Sequence, residues 1–213
     1  VNNLLMKNRN VKKFTFRSVC QAMLATTNGS AGIQINGIDP FQENECSELN
    51  KKIIDGKTLT NTKKFGLLIG QKLSKKMKIF VGDKVVLTFT DLQNEIVSAA
   101  FRVVGIVQTT NSAWEERNVY VRRNDLNQLF GAPGMAHEVA IILHSNDLIP
   151  IMMQQMNMQF PDMLLEDWKL LSPETNLMVE TVDITSYIII GIILIALAFG
   201  IINTMLMSIL ERI

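Results

Sequence analysis

The sequence predicts an α+β domain followed by a single membrane-spanning α-helix, on three observations. No charged residue occurs between Asp183 and Glu211, and the middle of that run, Tyr187–Ile202, is almost wholly aliphatic. The hydrocarbon core of a bilayer takes about 20 apolar residues as a helix, the one form in which a lone segment satisfies its own backbone in lipid. Upstream, short segments of strand period mix with short segments of helical period, without the strict alternation of a parallel α/β fold. The totals (213 residues, 47% hydrophobic, 19% charged) suit one globular domain plus one span. The expected division is a domain over 1–171 and a helix over 172–213, within the membrane over about 184–210.

From the N-terminus, Lys13-Phe-Thr-Phe-Arg17 alternates as a strand does, and Cys20–Thr27 continues it. Asn28-Gly29 is a hairpin signal, Ile33–Asn36 alternates again, and Pro40 ends the ladder. Phe41–Asp55 is expected to be helical, with Cys46, Leu49 and Ile53 inward. Glu43, Glu45, Glu48, Lys51 and Lys52 would face solvent, and Gly56 would cap the end. Phe65–Ile69 reads as a short strand, and Gly70 opens a helix over Gln71–Met77. Val81-Gly-Asp83 turns into a strand over Lys84–Thr90, Asp91–Asn94 is a tight turn, and Ala99–Val107 returns.

Val119–Val121 is strand-like. Asn124 would cap a helix over Asp125–Phe130, ended by Gly131-Ala-Pro-Gly134, and Val139–Leu143 is a further strand. A methionine-rich helix follows from Leu148, its methionines expected to fill core. Leu164–Leu171, with Trp168, is expected to be an edge strand. Ser172-Pro173-Glu174 is a helix start: a Ser cap, Pro at the first position and an acid in the first turn. The spanning helix should therefore begin outside the bilayer and run through it unbroken.

Net charge +1 and few aromatics argue against nucleic acid as a partner. Cys20 and Cys46 do not make a disulfide framework and read as two idle thiols, although an oxidising compartment would let them pair. His137 and His144 have no ligand-like spacing with them, so no metal site is expected. No phosphate-binding glycine motif occurs, so ATP is not expected to bind this chain. Asp39 and Asp83 sit in turn contexts, and Glu115-Glu116 beside Arg117 reads as a solvated loop; none is expected to be catalytic. Within the span, Ala196, Gly200, Thr204 and Ser208 recur every fourth residue, a small-residue face on which another helix can pack. Asn203 and Thr204 add side chains able to hydrogen-bond across such a contact.

Five segments, in order, carry a resemblance: Gly37-Ile-Asp-Pro40, Leu68-Ile-Gly-Gln-Lys-Leu73, Val81-Gly-Asp-Lys-Val85, Phe101-Arg-Val-Val-Gly-Ile106, and Ile201-Ile-Asn-Thr-Met205 leading to Glu211-Arg212. In these the chain resembles the FtsX-like (MacB-like) ABC transporter permeases, and among them the lipoprotein-releasing subunits. The resemblance implies an extracytoplasmic domain between the first and second membrane helices, periplasmic in bacteria with two membranes. The span would be the second helix of a longer, polytopic inner-membrane protein, and the chain a fragment of it. Glu211 and Arg212 would open the cytoplasmic segment that meets a partner ATPase. It further implies a second permease subunit, and a lipoprotein or other exported cargo moved by mechanical transmission. The family's carrier-recruiting subunits have a long hairpin where this chain has a short turn between Thr90 and Ala99, so carrier docking is not implied. The alternatives are a MacB-like efflux permease and a single-span sensor or interaction domain. An anchored enzyme lacks a site.

Overall fold

The computed structural model describes residues 2–62 and 64–210. They fall into two compact units, Val1–Leu148 and Ile149–Ile213.

The first unit opens with α1 (Asn2–Lys7) and the long strand β1 (Val11–Thr26), which folds back as β2 (Gly29–Ile38). Asn28-Gly29 acts as the sequence suggests: Gly29 takes φ 142°, and the register runs from Thr26 opposite Gly29 to Arg17 opposite Ile38. Asp39 then starts α2 (Pro40–Ser47), its carboxylate accepting from the backbone N–H groups of Phe41 and Gln42. Pro40 takes the first helical position, where its missing N–H costs nothing.

The helix expected over 41–55 stops at Ser47. Glu48 turns left-handed (φ 52°), and the Asn44 side chain accepts from Asn50 N–H, fixing a tight 3-10 turn over Leu49–Lys52. The β-branched pair Ile53-Ile54 then enters β3 (Ile53–Gly56), which pairs antiparallel with a later strand. Gly56 is no helix cap. It is a point of close approach, where an added Cβ would lie 2.7 Å from Gly105 Cα.

Next come β4 (Gly66–Gly70), α3 (Gln71–Met77), β5 (Lys84–Thr90) and β6 (Ile96–Val107). The β5–β6 connection is short because the Asp91 carboxylate accepts from Gln93 and Glu95 N–H. The polar stretch read as a loop around Glu115 is α4 (Ser112–Arg117), capped by the Asn111 side chain accepting from Trp114 N–H. The unit ends with β7 (Asn118–Arg122), α5 (Arg123–Leu129) and β8 (Glu138–Leu143). α5 starts one residue ahead of Asn124, with Arg122 at the cap position.

The strands close on themselves. β1 pairs with β2 along one edge and, through Ala22–Ala25, with β5 along the other. From β2 the pairings run through β7, β4, β6 and β5 back to β1, forming a ring of six strands. Closure leaves the ring without an open edge. β8 pairs with the first half of β1, and β3 is added beside β6.

β4 is buried on both faces, and its side chains divide accordingly. Leu67 and Ile69 join the main cluster with Leu24, Ile35, Phe101 and Val121, whereas Leu68 joins a second cluster with Ile38, Leu49, Leu59 and Val107. Both clusters lie inside the first unit.

The second unit holds α6 (Ile149–Gln159), α7 (Trp168–Leu171) and α8 (Pro173–Leu210). Met152 and Met156, one turn apart, are buried, whereas Met153 is half-buried and Ile151 and Met158 are exposed, so the core reading of this run holds only for its inner face. Leu164–Leu171 is not an edge strand. Its last four residues form a single helical turn, and Ser172 ends that turn by donating its N–H to Trp168. The Ser172 carbonyl then accepts from Thr175 and Asn176, so α8 begins at the Ser-Pro signal.

Candidate functional site

The segment Thr175–Met207 of α8 is long and apolar enough to cross a membrane. Its best window has a mean hydropathy of 2.6, and none of that window is buried within the chain. At 1.5 Å per residue, α8 is about 57 Å long, roughly twice the hydrocarbon thickness of a bilayer. The uncharged stretch from Ile184 is long enough to fill such a core with some tilt, which would leave the first turns of α8 beyond it.

Ala196, Gly200, Asn203 and Thr204 are exposed on α8. A Cβ at Gly200 would meet nothing within 4 Å among the described residues, so none of them fills the groove it leaves. The Thr204 hydroxyl donates to the Gly200 carbonyl at 2.7 Å, which uses its proton within the helix and leaves its lone pairs free. The Asn203 carboxamide makes no hydrogen bond to the described residues. The side chain of Ser208, and all of Glu211 and Arg212, lie outside the described residues.

A second feature lies in the first unit. Arg17 on β1 reaches Glu43 on α2 in a two-pronged pair, Nε to Oε2 and Nη2 to Oε1, both 2.8 Å, and its Nη1 meets Glu138 at 3.2 Å. Glu43 is buried, contrary to its place on the expected solvent face of the 41–55 helix. Burial alone would lower the Arg17 pKa, but the hydrogen bonds and negative charge of Glu43, helped by Glu138, raise it, so the guanidinium stays charged. Helical spacing cannot reveal a partner on a distant strand. The nearest signal was a lone Arg within an alternating strand.

The Arg17–Glu43 pair forms one wall of a cleft of about 260 Å³, whose lining includes Leu49, Lys52, Asn111, Trp114 and Tyr120. Trp114 Nε1 donates to the Tyr120 hydroxyl at 2.7 Å. Burial raises the Tyr120 pKa above its ordinary value, against the opposing effect of the Trp114 hydrogen bond, so the phenol stays protonated.

Of the other acidic residues named from the sequence, Asp39, Asp83 and Glu115 do structural work, and Glu116 is exposed as expected. Asp39 caps α2, and Asp83 accepts from Phe80 N–H in the turn before β5. Glu115 is buried instead of solvated: its carboxylate accepts from Thr109 N–H and, at 3.3 Å, from Lys72 N–H at the start of α3. Gly70 at that junction lies so close to the Glu115 backbone that a Cβ would sit 2.8 Å from Glu115 Cα. The Gly70-Gln71-Lys72 string is thus where α3 and α4 meet. Cys20 and Cys46 are free thiols. His137 Nδ1 accepts from Val19 N–H. Among the described residues, no group of three or more His, Cys, Asp or Glu is placed to hold a metal ion.

No family model and no curated protein matches this chain. Solved structures do. The extracellular domain of the noncanonic ABC-type transporter YknZ from Gram-positive bacteria is 21% identical, with a TM-score of 0.52, over 70% of this chain and 74% of that one. The periplasmic region of MacB from Actinobacillus actinomycetemcomitans is 16% identical, with a TM-score of 0.51, over 74% of this chain and 71% of that one. At these identities the likeness is one of fold. The chain is an α+β domain with the fold of the extracytoplasmic domains of YknZ and MacB, followed by one long apolar helix.

Proposed function

We propose that this chain is part of a permease subunit of an ABC transporter of mechanotransmission type. ATP is bound and hydrolysed by a partner subunit, and a second permease subunit completes the membrane dimer. The α+β domain lies in the periplasm, and α8 is the helix that returns the chain through the inner membrane. Its far end, with Glu211 and Arg212, faces the ATPase. This chain's own part is mechanical: movement imposed on α8 at the cytoplasmic side shifts its outer turns. The observation that carries the proposal is one join. A domain with the fold of YknZ and MacB extracytoplasmic domains is followed in the chain by a helix about twice the bilayer's hydrocarbon thickness.

For the cargo, we propose lipoproteins released from the inner membrane. The tight β5–β6 turn at Asp91–Glu95 offers no protruding arm to hold a periplasmic carrier, so this subunit would act beside one that does, or without a carrier. The same short turn favours a MacB-like efflux permease as the second reading. Depletion of the full-length protein, followed by lipoprotein release from spheroplasts, separates the two. Retention of lipoproteins in the inner membrane supports release as the function. Normal release with lost resistance to exported toxic compounds would move the assignment to efflux.

A further inference from the structure

The cleft beside the Arg17–Glu43 pair holds side-chain donors that no described residue accepts from. The Tyr120 hydroxyl already accepts from Trp114 Nε1, and its own proton has no acceptor among the described residues. The Asn111 carbonyl oxygen is used by Trp114 N–H, whereas its amide N–H group donates to none of the described residues. The Lys52 ammonium makes no ion pair with them, although its charge acts on Glu48. The cleft's one lining carboxylate, Glu43, has both oxygens engaged by Arg17. Arg17 is paired with Glu43 and, outside the lining, with Glu138, so Lys52 is the lining cation that stands outside an ion pair among the described residues. Leu49 and the half-exposed Trp114 supply apolar surface.

Three donors unused among the described residues, one of them an ammonium outside any ion pair there, and an indole wall complement a negatively charged acceptor on a flat or apolar body. We propose that this cleft binds a carboxylate carried on a small apolar or aromatic group. Lys52, Tyr120 and Asn111 hold its oxygens, and Trp114 and Leu49 cover its body. The site stands independently of the transport reading, since every lining residue belongs to the first unit. The carboxylate could belong to a free small molecule or to the C-terminus of a polypeptide.

The chain has two tryptophans, so in a Trp168→Phe background its fluorescence reports Trp114 alone. The full chain, held in detergent micelles, is titrated with benzoate, with benzamide, and with acetyl-Ala-Phe as the free acid and as its amide. The expected result is a saturable change in Trp114 emission with at least one of the two acids. Its matching amide binds at least about tenfold more weakly, and Lys52→Ala and Tyr120→Phe each weaken that acid about tenfold while circular dichroism is unchanged. If the dipeptide acid binds at least about tenfold tighter than benzoate, the source is a polypeptide terminus; otherwise it is a small molecule. No saturation with either acid, equal binding of acid and amide, or unaltered binding in both variants overturns the proposal.

Discussion

Glu43 ties α2 to β1 through a buried ion pair. Its carboxylate is buried and its two oxygens hold the Arg17 guanidinium, itself mostly buried. Removing Glu43 leaves Arg17 with only its longer contact to the half-exposed Glu138, so the loss should approach that of a broken buried pair, about 3–5 kcal/mol. Glu43→Ala should therefore lower the domain's stability to urea by that order, and replacing both partners with apolar residues should cost less. Equal losses for the single and double variants would contradict this account. The pair was not legible in the sequence, because a Glu among charged neighbours on a helix reads as surface, and its partner lies 26 positions away.

The cysteines give a second test at this scale. Burial pushes the Cys20 thiol up to about 12, from an ordinary value of 9.0, and burial, then the charge of Glu43, raises Cys46. A thiol whose folded pKa is raised stabilises the fold below the unfolded pKa and loses that contribution as pH rises through the folded one. Cys20 thus favours the native state below about pH 9, and the advantage fades between about pH 9 and 12. At pH 8 iodoacetamide should leave Cys20 unlabelled in the native protein and modify both cysteines in urea. Rapid native labelling of Cys20 would refute its burial.

Among the elements, those whose local chemistry is strong were legible. The β1–β2 hairpin follows from Asn28-Gly29, α8 from Ser172-Pro173 and an uncharged run, and the opening of α3 from Gly70. The elements that escaped are short. β3, α4 and α7 have four to six residues each, too few to show a period, and tertiary partners decide their state. Ile53–Gly56 is a strand because β6 offers its edge; on helical spacing alone it continued α2.

For α8, Ala196, Gly200, Asn203 and Thr204 are exposed and a Cβ at Gly200 would meet none of the described residues, and we propose that this face packs on another helix. Gly200→Leu should leave the melting of the soluble domain unchanged and reduce both permease association and ATP-driven transport several-fold in the assembled complex. Wild-type association and transport in that variant would show that the face is idle.

At the scale of the whole molecule, closure of the six-strand ring was beyond the sequence. β1 pairs with three other strands, β2, β5 and β8, and alternation reveals which face is buried without naming the neighbour. Because both apolar clusters lie within the first unit, a chain ending at Leu148 should fold alone, with one cooperative urea transition. A broad or multistep transition would show that residues beyond 148 complete the core.

The central claim is that this domain and helix serve an ATP-driven machine they do not themselves power. Purification of the full-length protein from native membranes, with quantification of co-purifying subunits, tests it most directly. The account predicts an ATP-binding subunit at close to one copy per permease, whose hydrolysis changes when Gly200→Leu is introduced. Reproducible recovery of the protein with no ATPase, alone or bound to an extracytoplasmic ligand, would contradict it and leave a membrane-anchored sensor in its place.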